Sequence, residues 1–360
     1  VGPWAYMFAA IAPGLLGFGT TPTEEPTPTT LCGSTCFYQG VASGDPTDDS
    51  IVLWTRVDPC CVEKYGDHIE YTLIPKESAQ GGRRLHNGDA SRTGHAKIEP
   101  GRDYTVHAEP TGLHGSYSYY FSIPGSTYTS EVGHTRTAHE LDSLKIAHTS
   151  CSNFPHGYFT VYHEMARMLK SGELDAWTHV GDFIYEYGHG GYGMGAWNIT
   201  ARDGNDQDPA HFSPSHELTA TDDYYTRYKQ YLTDGGLLAV RAAGVNVGQV
   251  WDDHEIANDM WGDGAENHDD EEDGISWAAR KANGLEAWLD YMPVRGTTVG
   301  YRASHFGAAE VVSMNTRWGS ENIDIGEPQY EEALWSLHDP ALWKGEDGEY
   351  SSPWTDPARA

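Results

Sequence analysis

The chain has 360 residues, which is enough for a sizeable hydrophobic core and for two domains. Its 53 acidic side chains against 23 Lys and Arg give a net charge of -30, which argues against nucleic acid as an affinity partner and means that an anionic substrate needs a local cation. With 12 Trp and 22 Tyr but few aliphatic residues, the core is expected to rest largely on aromatic rings.

The first 31 residues predict an arm and a linker. Residues 4–19, WAYMFAAIAPGLLGFG, are apolar but broken by Pro13 and several glycines, so they are too short and irregular to span a membrane. We expect a mature arm that packs on the body of the protein or on a neighbouring chain, which would give a homo-oligomer. Residues 20–31 are rich in Thr and Pro and are typical of an extended linker.

Four cysteines follow this linker within a short stretch, and they predict two disulfides. Adjacent cysteines do not easily bond to each other, so each of Cys60 and Cys61 should pair with one of Cys32 and Cys36; the connectivity stays open. Disulfides indicate an oxidising compartment and therefore a secreted protein. The glycosylation sequon at Asn198 agrees with secretion.

From Phe37 to about Ala138 the pattern is one of short strands separated by turns. Apolar or alternating runs bounded by Gly, Pro and Asp occupy residues 50–57, 68–75, 103–110 and 115–123. No helical period interrupts them, which predicts an all-β sandwich domain over residues 32–140.

The sequence pattern changes from Leu144 onward, where predicted strands alternate with predicted helices. Strands are predicted at 144–151, 174–182, 245–255 and 308–317, and helices at 157–172, 222–244 and 275–292, the second of these with Thr221 or Asp222 as its N-cap. This alternation predicts an α/β layered domain over residues 141–360, so the whole chain is an α/β protein preceded by an all-β sandwich.

Three of these predicted strands end in side chains that bind metals. The ends carry, in order, Cys151; Asp182 and Tyr185; and Asp252, Asp253 and His254. Strand ends on one edge of an α/β sheet converge in space. A thiolate and a phenolate favour a transition metal such as Fe, whereas additional carboxylates favour a hard ion such as Ca²⁺. The sequence therefore predicts a mixed-ligand metal site.

Each of these residues also has a plainer explanation. A Gly-Asp at a strand end, as at Asp182, is often only a turn or a helix cap, and a tyrosine such as Tyr185 is usually packing. Cys151, the unpaired cysteine, could be a buried and inert side chain. The acidic run 259–274 does not fit the EF-hand template, so a solvated loop is favoured over a calcium site. Four loop histidines near the motifs are candidates for surface residues or for a phosphate contact: His156, His189, His211 and His216.

Taken in order, several segments resemble the PhoD-type alkaline phosphatase and phosphodiesterase family. They are FYQGVASGDPTDDSIVLWTRV (37–57), HTRTA (134–138), TSCSN, HVGDFIYEYG (179–188), VWDDHEIANDMWG (250–262), YMPVR (291–295) and YRASHFG with VVSMNTRW (301–318). The resemblance implies a secreted metallophosphoesterase that holds Fe³⁺ and Ca²⁺, in which a metal-bound hydroxide attacks a small phosphate ester. Other divalent metals would fit the same ligand types.

The resemblance also implies individual roles. Cys151 matches the family's cysteine ligand, Asp182 its metal-bridging aspartate and Tyr185 its tyrosine ligand. Asp252 or Asp253 matches the next ligand position, and Asp253 is also a candidate catalytic residue. His254 lies where the wider metallophosphatase group places a histidine that faces the transition state.

This sequence departs from the family in two places. Asn315 stands where the family usually has Asp, and no Gly-Asp-x-His follows residue 318. We therefore expect that a further segment or a partner chain completes the catalytic domain and its ion shell. The alternative function is a non-catalytic extracellular assembly protein on a phosphatase scaffold, and metal content would separate the two.

Overall fold

The computed structural model describes residues 32–76, 91–138, 143–192, 213–296, 302–306 and 309–317. The strands are β1 (Val41–Gly44), β2 (Val52–Arg56), β3 (His68–Pro75), β4 (Arg92–Lys97), β5 (Thr105–Ala108), β6 (Ser116–Ser122), β7 (Gly133–Arg136), β8 (Ile146–Thr149), β9 (Ala176–His179), β10 (Arg302–Phe306) and β11 (Ala309–Ser313). The helices are α1 (Pro59–Tyr65), α2 (Thr160–Ser171), α3 (Thr221–Tyr231), α4 (Gly235–Ala243) and α5 (Trp277–Tyr291). The predicted arm, Asn198 and His211 lie outside the described residues.

The first part of the structure is a sandwich of two antiparallel sheets, as predicted. One sheet has the order β1-β2-β5 and the other the order β4-β3-β6-β7. Strand β6 shows why these sequences pair in this way, because Tyr117, Tyr119 and Phe121 alternate inward and are buried while the residues between them are partly exposed. These rings join the core between the sheets.

A short helix, α1, interrupts the sandwich, so the expectation that residues 37–138 contain no helix is wrong. Pro59 begins the helix, and the side chain of Asp58 caps it by accepting a hydrogen bond from Cys60 N. Seven residues are too few to show a helical period, which explains why the pattern missed it. The helix presents its two cysteines in turn, and the predicted disulfides are confirmed as Cys32–Cys60 and Cys36–Cys61.

The single helix predicted over residues 222–244 is two helices. The break falls at Asp234, whose carboxylate accepts a hydrogen bond from Leu237 N (2.9 Å) and caps α4. The first helix, α3, already includes Thr221, so the predicted N-cap is also displaced by one or two residues. There the carboxylate of Asp223 accepts a hydrogen bond from the backbone of Ala220 (2.9 Å).

The strand predicted over residues 245–255 is reduced to bridges at Asn246, but these bridges connect two sheets. Asn246 pairs in parallel with Gly44 of β1 on one side and with Trp177 of β9 on the other. Strands β9 and β8 are themselves parallel. Hydrogen bonding therefore runs without interruption through β5, β2, β1, Asn246, β9 and β8.

Helices cover the face of β1 and β2 that points away from the sandwich. The core there is rich in aromatic rings, as composition predicted: Tyr162, Tyr224, Tyr225, Tyr228, Tyr231 and Tyr291, with Trp54, Trp177, Trp251 and Trp288. Trp54 donates its indole N–H to the carbonyl of Asp290 (2.7 Å), and the buried guanidinium of Arg241 lies 4.6 Å from the Trp54 ring. None of the helices in the described part of the chain is both long and apolar enough to cross a bilayer.

Candidate metal centre

Hydrogen bonds hold the turns after β8 and β9 together at one edge of the sheet. Cys151 N donates to the carbonyl of Gly181 (3.1 Å), and Ser152 N donates to that of Asp182 (2.8 Å). Cys151, Gly181 and Asp182 all have positive φ, which turns the chain sharply as each strand ends. A Cβ on Gly181 would lie 2.3 Å from Asp252 N, so a glycine is required for the third strand end to approach.

Asp182, Asp253 and His254 form a buried cluster at this edge. Each offers one ligand atom, and the three atoms lie within 4.8 Å of one another. The three residues are only 6%, 4% and 8% exposed. One carboxylate oxygen of Asp182 accepts a hydrogen bond from the Tyr185 hydroxyl (3.0 Å), while the other is buried without a hydrogen-bond partner among the described residues. Such an oxygen is costly to bury unless a cation or donor meets it.

The carboxylates of the cluster repel one another. Burial, together with the charge of Asp182, raises the pKa of Asp253 to about 6. Burial and the same aspartate raise the pKa of Glu255 to about 8. A cation held by Asp182 and Asp253 would counter the repulsion between these two carboxylates, so the donors present fit a metal ion.

The other predicted ligands surround this cluster. Cys151 is exposed, so the alternative in which it is a buried cysteine is wrong, and its thiol interacts with the side chains of Asp182 and Tyr185. Burial and the Asp182 charge raise the pKa of that thiol. Asp252 is not among the three clustered ligand groups; its carboxylate pairs instead with Arg317, at 2.5 Å.

His254 is fixed in orientation from two sides. Its Nδ1 lies 2.8 Å from a carboxylate oxygen of Glu186, and its ring stacks on that of Tyr185 with centroids 4.1 Å apart. Burial lowers the pKa of His254, but Glu186, Asp182 and Asp253 outweigh it and raise the pKa to about 9. Because Glu186 occupies Nδ1, the Nε2 atom is the one left to act in the cluster.

Sequence reasoning missed three residues that support the centre: Glu186, Glu255 and Arg317. Glu255 accepts hydrogen bonds from the backbone N–H groups of Asp182 (3.1 Å), Phe183 (2.6 Å) and Asp252 (2.9 Å), which ties two strand ends together. Arg317 reaches Asp253 as well as Asp252, at 3.1 Å. Its backbone N–H donates to the side chain of Asn315 (3.1 Å), the position that departs from the family pattern. The signal for all three was a charged residue inside a motif already recognised, in segments 179–188, 250–262 and 301–318.

The remaining candidate residues are not among the three clustered ligand groups. His156 and His189 are partly exposed, and His216 pairs with Asp223 on α3 (3.0 Å). In the acidic run, the imidazole of His268 lies between the carboxylates of Asp270 and Asp273, 2.8 Å from each. Calcium binding by this run stays a prediction.

Comparison with known proteins gives a consistent result over nearly the whole described chain. Residues 24–139 match the model of the PhoD-like phosphatase N-terminal domain, and residues 146–341 match that of the PhoD-like phosphatase. Alkaline phosphatase D of Bacillus subtilis (strain 168) is 32% identical over 263 residues, which cover 72% of this chain and 41% of that relative. A solved structure described as that of PhoD superposes with a TM-score of 0.64 at 27% identity, covering 86% of this chain and 61% of the other.

Proposed function

The chain belongs to the PhoD-like phosphatase family, whose model matches more than half of its residues, and on this basis we propose that it hydrolyses phosphate esters at the cluster of Asp182, Asp253 and His254. It spans 41% of the length of the curated relative that it matches. Both monoesters and diesters fit the proposal. The observation that carries it is the buried oxygen of Asp182, which has no hydrogen-bond partner among the described residues and faces a second buried carboxylate.

In this proposal Asp182 and Asp253 hold the metal. Cys151 and Tyr185 are further ligands, and Asp252 lies next to Asp253 in the sequence as an additional ligand candidate. The thiol and the phenol favour Fe³⁺, and the carboxylates favour Ca²⁺ or another divalent ion. A bound ion would polarise the phosphoryl oxygens and activate water as the nucleophile. The family resemblance and the softness of sulfur support iron specifically.

We assign a proton-carrying role to His254. The Glu186 carboxylate accepts the Nδ1 proton in a hydrogen bond, holds the ring in place and helps to raise the pKa of His254 to about 9. The ring is then doubly protonated, and its second proton, on Nε2, faces the reacting group. From that atom His254 would donate to the oxygen of the departing alcohol. Glu255 and the hydrogen bonds between the strand ends keep the carboxylates in position without touching substrate.

The location and the partners of the protein belong to the same proposal. The two disulfides support secretion, because such bonds persist in oxidising compartments. The net charge of -30 makes the ions the local attraction for phosphate and disfavours nucleic acid as a partner. Hard ions take six to eight oxygens. We propose that a further segment or a partner chain adds ligands, since three groups cluster among the described residues.

The test combines metal analysis with hydrolysis. The purified protein is stripped with a chelator, reloaded with Fe³⁺ and Ca²⁺ separately and together, and assayed on a generic phosphomonoester and a phosphodiester. Asp182→Asn should lose both metal and activity, whereas Asp222→Asn, an exposed position on α3, serves as the matched control. If the metal-loaded protein hydrolyses neither ester, the proposal is wrong and the alternative of an assembly protein gains support.

A further inference from the structure

A group of three partly exposed rings borders the metal centre, and the proposed mechanism does not use them. They are His156, Tyr187 and Tyr192. We propose that these rings form an aromatic platform that binds a planar aromatic group carried by the leaving alcohol of the substrate. This inference rests on the proposed function, because it names the class of ester that the same site prefers.

Tyr192 is the centre of the platform. Its ring centroid lies 5.6 Å from that of His156 and 5.9 Å from that of Tyr187. On its inner side it is stacked at 21° against Tyr185, with centroids 6.3 Å apart. The platform is therefore separated from Asp182 only by the ring of Tyr185, whose hydroxyl bonds that carboxylate.

Tyr187 joins the platform to the other side of the centre. Its ring lies 5.5 Å from that of His254, the residue to which we assign the proton for the leaving group. A group stacked on the open faces of Tyr187 and Tyr192 would extend away from the oxygen that receives this proton. The platform thus lies on the side where the leaving alcohol, rather than the phosphoryl group, should be.

The exposed fraction of Tyr192 distinguishes the platform from rings that are packed in the core. Tyr192 is 59% exposed although it contacts three other rings, whereas Tyr185, which packs inside the centre, is 6% exposed. A large aromatic surface that is fixed in place but left open to solvent offers stacking area at a low entropic cost. Stacking on such rings is tolerant of the exact base or aryl group, because every one of them has a π-face.

The charges around the platform also limit which leaving groups can bind there. Neutral rings beside several carboxylates would not attract an anionic leaving group. A nucleoside 5′-monophosphate fits these conditions, because its base is uncharged and one sugar ring separates it from the phosphate.

The experiment compares two substrates with the same departing hydroxyl: adenosine 5′-monophosphate and ribose 5-phosphate. In ribose 5-phosphate a hydroxyl replaces the base at the anomeric carbon, so the ratio of their kcat/KM values reports the contribution of the base. The ratio is measured for each variant separately, and the variants are compared only by this ratio, so a general loss of activity does not affect the result. We expect the wild type to prefer the nucleotide about tenfold, and Tyr192→Ala to lose that preference through KM. Tyr192→Phe, which keeps the ring, should retain it.

Two results would overturn the platform. One is a wild-type ratio near one, and the other is a ratio that Tyr192→Ala leaves unchanged. If neither ester is hydrolysed, the proposed function fails, and equilibrium dialysis with the same two compounds decides the platform separately. It then stands only if the nucleotide binds more tightly than ribose 5-phosphate and Tyr192→Ala removes the difference.

Discussion

The Nδ1 atom of His254 lies 2.8 Å from a carboxylate oxygen of Glu186, and Glu186 is fully buried. The second oxygen of this carboxylate accepts hydrogen bonds from Asn258 N (2.6 Å) and from the side-chain amide of Asn267 (2.8 Å). Glu186 is therefore held by three donors and cannot turn away from the imidazole. Its position is that of a residue that orients another, not one that contacts substrate.

The first prediction concerns this pair. Replacing Glu186 with Gln keeps the shape of the side chain but removes its charge, so His254 should hold its Nε2 proton less firmly. We expect kcat to fall by roughly ten- to a hundredfold while KM changes little. Steady-state kinetics on a phosphomonoester measures both constants. Glu164→Gln, at an exposed ion pair on α2, is the matched control, and a Glu186→Gln enzyme with wild-type kcat would contradict the assigned role.

The second prediction concerns Cys151 as a metal ligand. It is the only one of the five cysteines outside the two disulfides, so a thiol reagent reports on it alone. The metal-loaded protein should not react, and the chelated protein should titrate one thiol. Cys151→Ser should weaken Fe³⁺ binding more than Ca²⁺ binding, because sulfur is the softer ligand.

Metal content after dialysis, measured by elemental analysis, checks this difference. A thiol that reacts equally fast with and without metal would remove Cys151 from the ligand set. Equal loss of both ions in the serine variant would do the same.

The third prediction concerns the bonds between the linker end and α1. Cys32–Cys60 and Cys36–Cys61 close loops with sequence separations of 28 and 25 residues. Removing either bridge as a paired Ala substitution should lower the free energy of unfolding by about 3 kcal/mol. Guanidinium denaturation measures the loss, and peptide mapping without reductant verifies the connectivity. Crossed pairing, Cys32 with Cys61, would show that the arrangement is wrong.

The fourth prediction is a pH dependence of stability that originates in Asp103, which is not one of the clustered ligand groups. Asp103 pairs with Arg56 of β2 (2.8 Å), Lys229 of α3 (3.0 Å) and the hydroxyl of Tyr291 (2.5 Å). Burial raises the pKa of Asp103, but its bonds to Arg56 and Tyr291 outweigh burial, and the net pKa is lowered. The folded state therefore binds this proton less readily than the unfolded state does.

The stabilisation from Asp103 should be complete above the unfolded pKa of about 4 and should be lost as the pH falls through the lower folded value. Asp103→Asn should cost about 3 kcal/mol at pH 7, because it leaves buried cations less well paired, and less at acidic pH. Urea unfolding at several pH values measures this difference. A cost that is the same at all pH values would exclude the ion pairs as its source.

The sequence predicted the elements whose residues carry a visible period. The strand predicted at 68–75 coincides with β3, and the run predicted at 115–123 contains β6, because both patterns are local. Helix α1 and the break at Asp234 were missed because a cap or one turn decides them, not a period. Asn246 was misjudged for another reason: its bridges depend on two partners more than 60 residues away.

The residues of the candidate centre also fall into those that the sequence could predict and those that it could not. Asp182, Asp253 and His254 could be named because they end predicted strands, and strand ends meet at one edge. Glu186, Glu255 and Arg317 could not, because their roles depend on where their carboxylates or guanidinium point after folding. Glu255 illustrates this point, since its three backbone donors come from two separate turns.

The bridges at Asn246 also bear on cooperativity. Because β1 bonds to Asn246, and Asn246 bonds to β9, the sandwich and the helical part cannot separate without breaking backbone hydrogen bonds. A sandwich fragment cut away near residue 140 would expose β1 as an unpaired edge, together with the apolar faces of Ala42 and Trp54. The two parts should therefore melt in one calorimetric transition, and an excised sandwich should aggregate rather than remain monomeric.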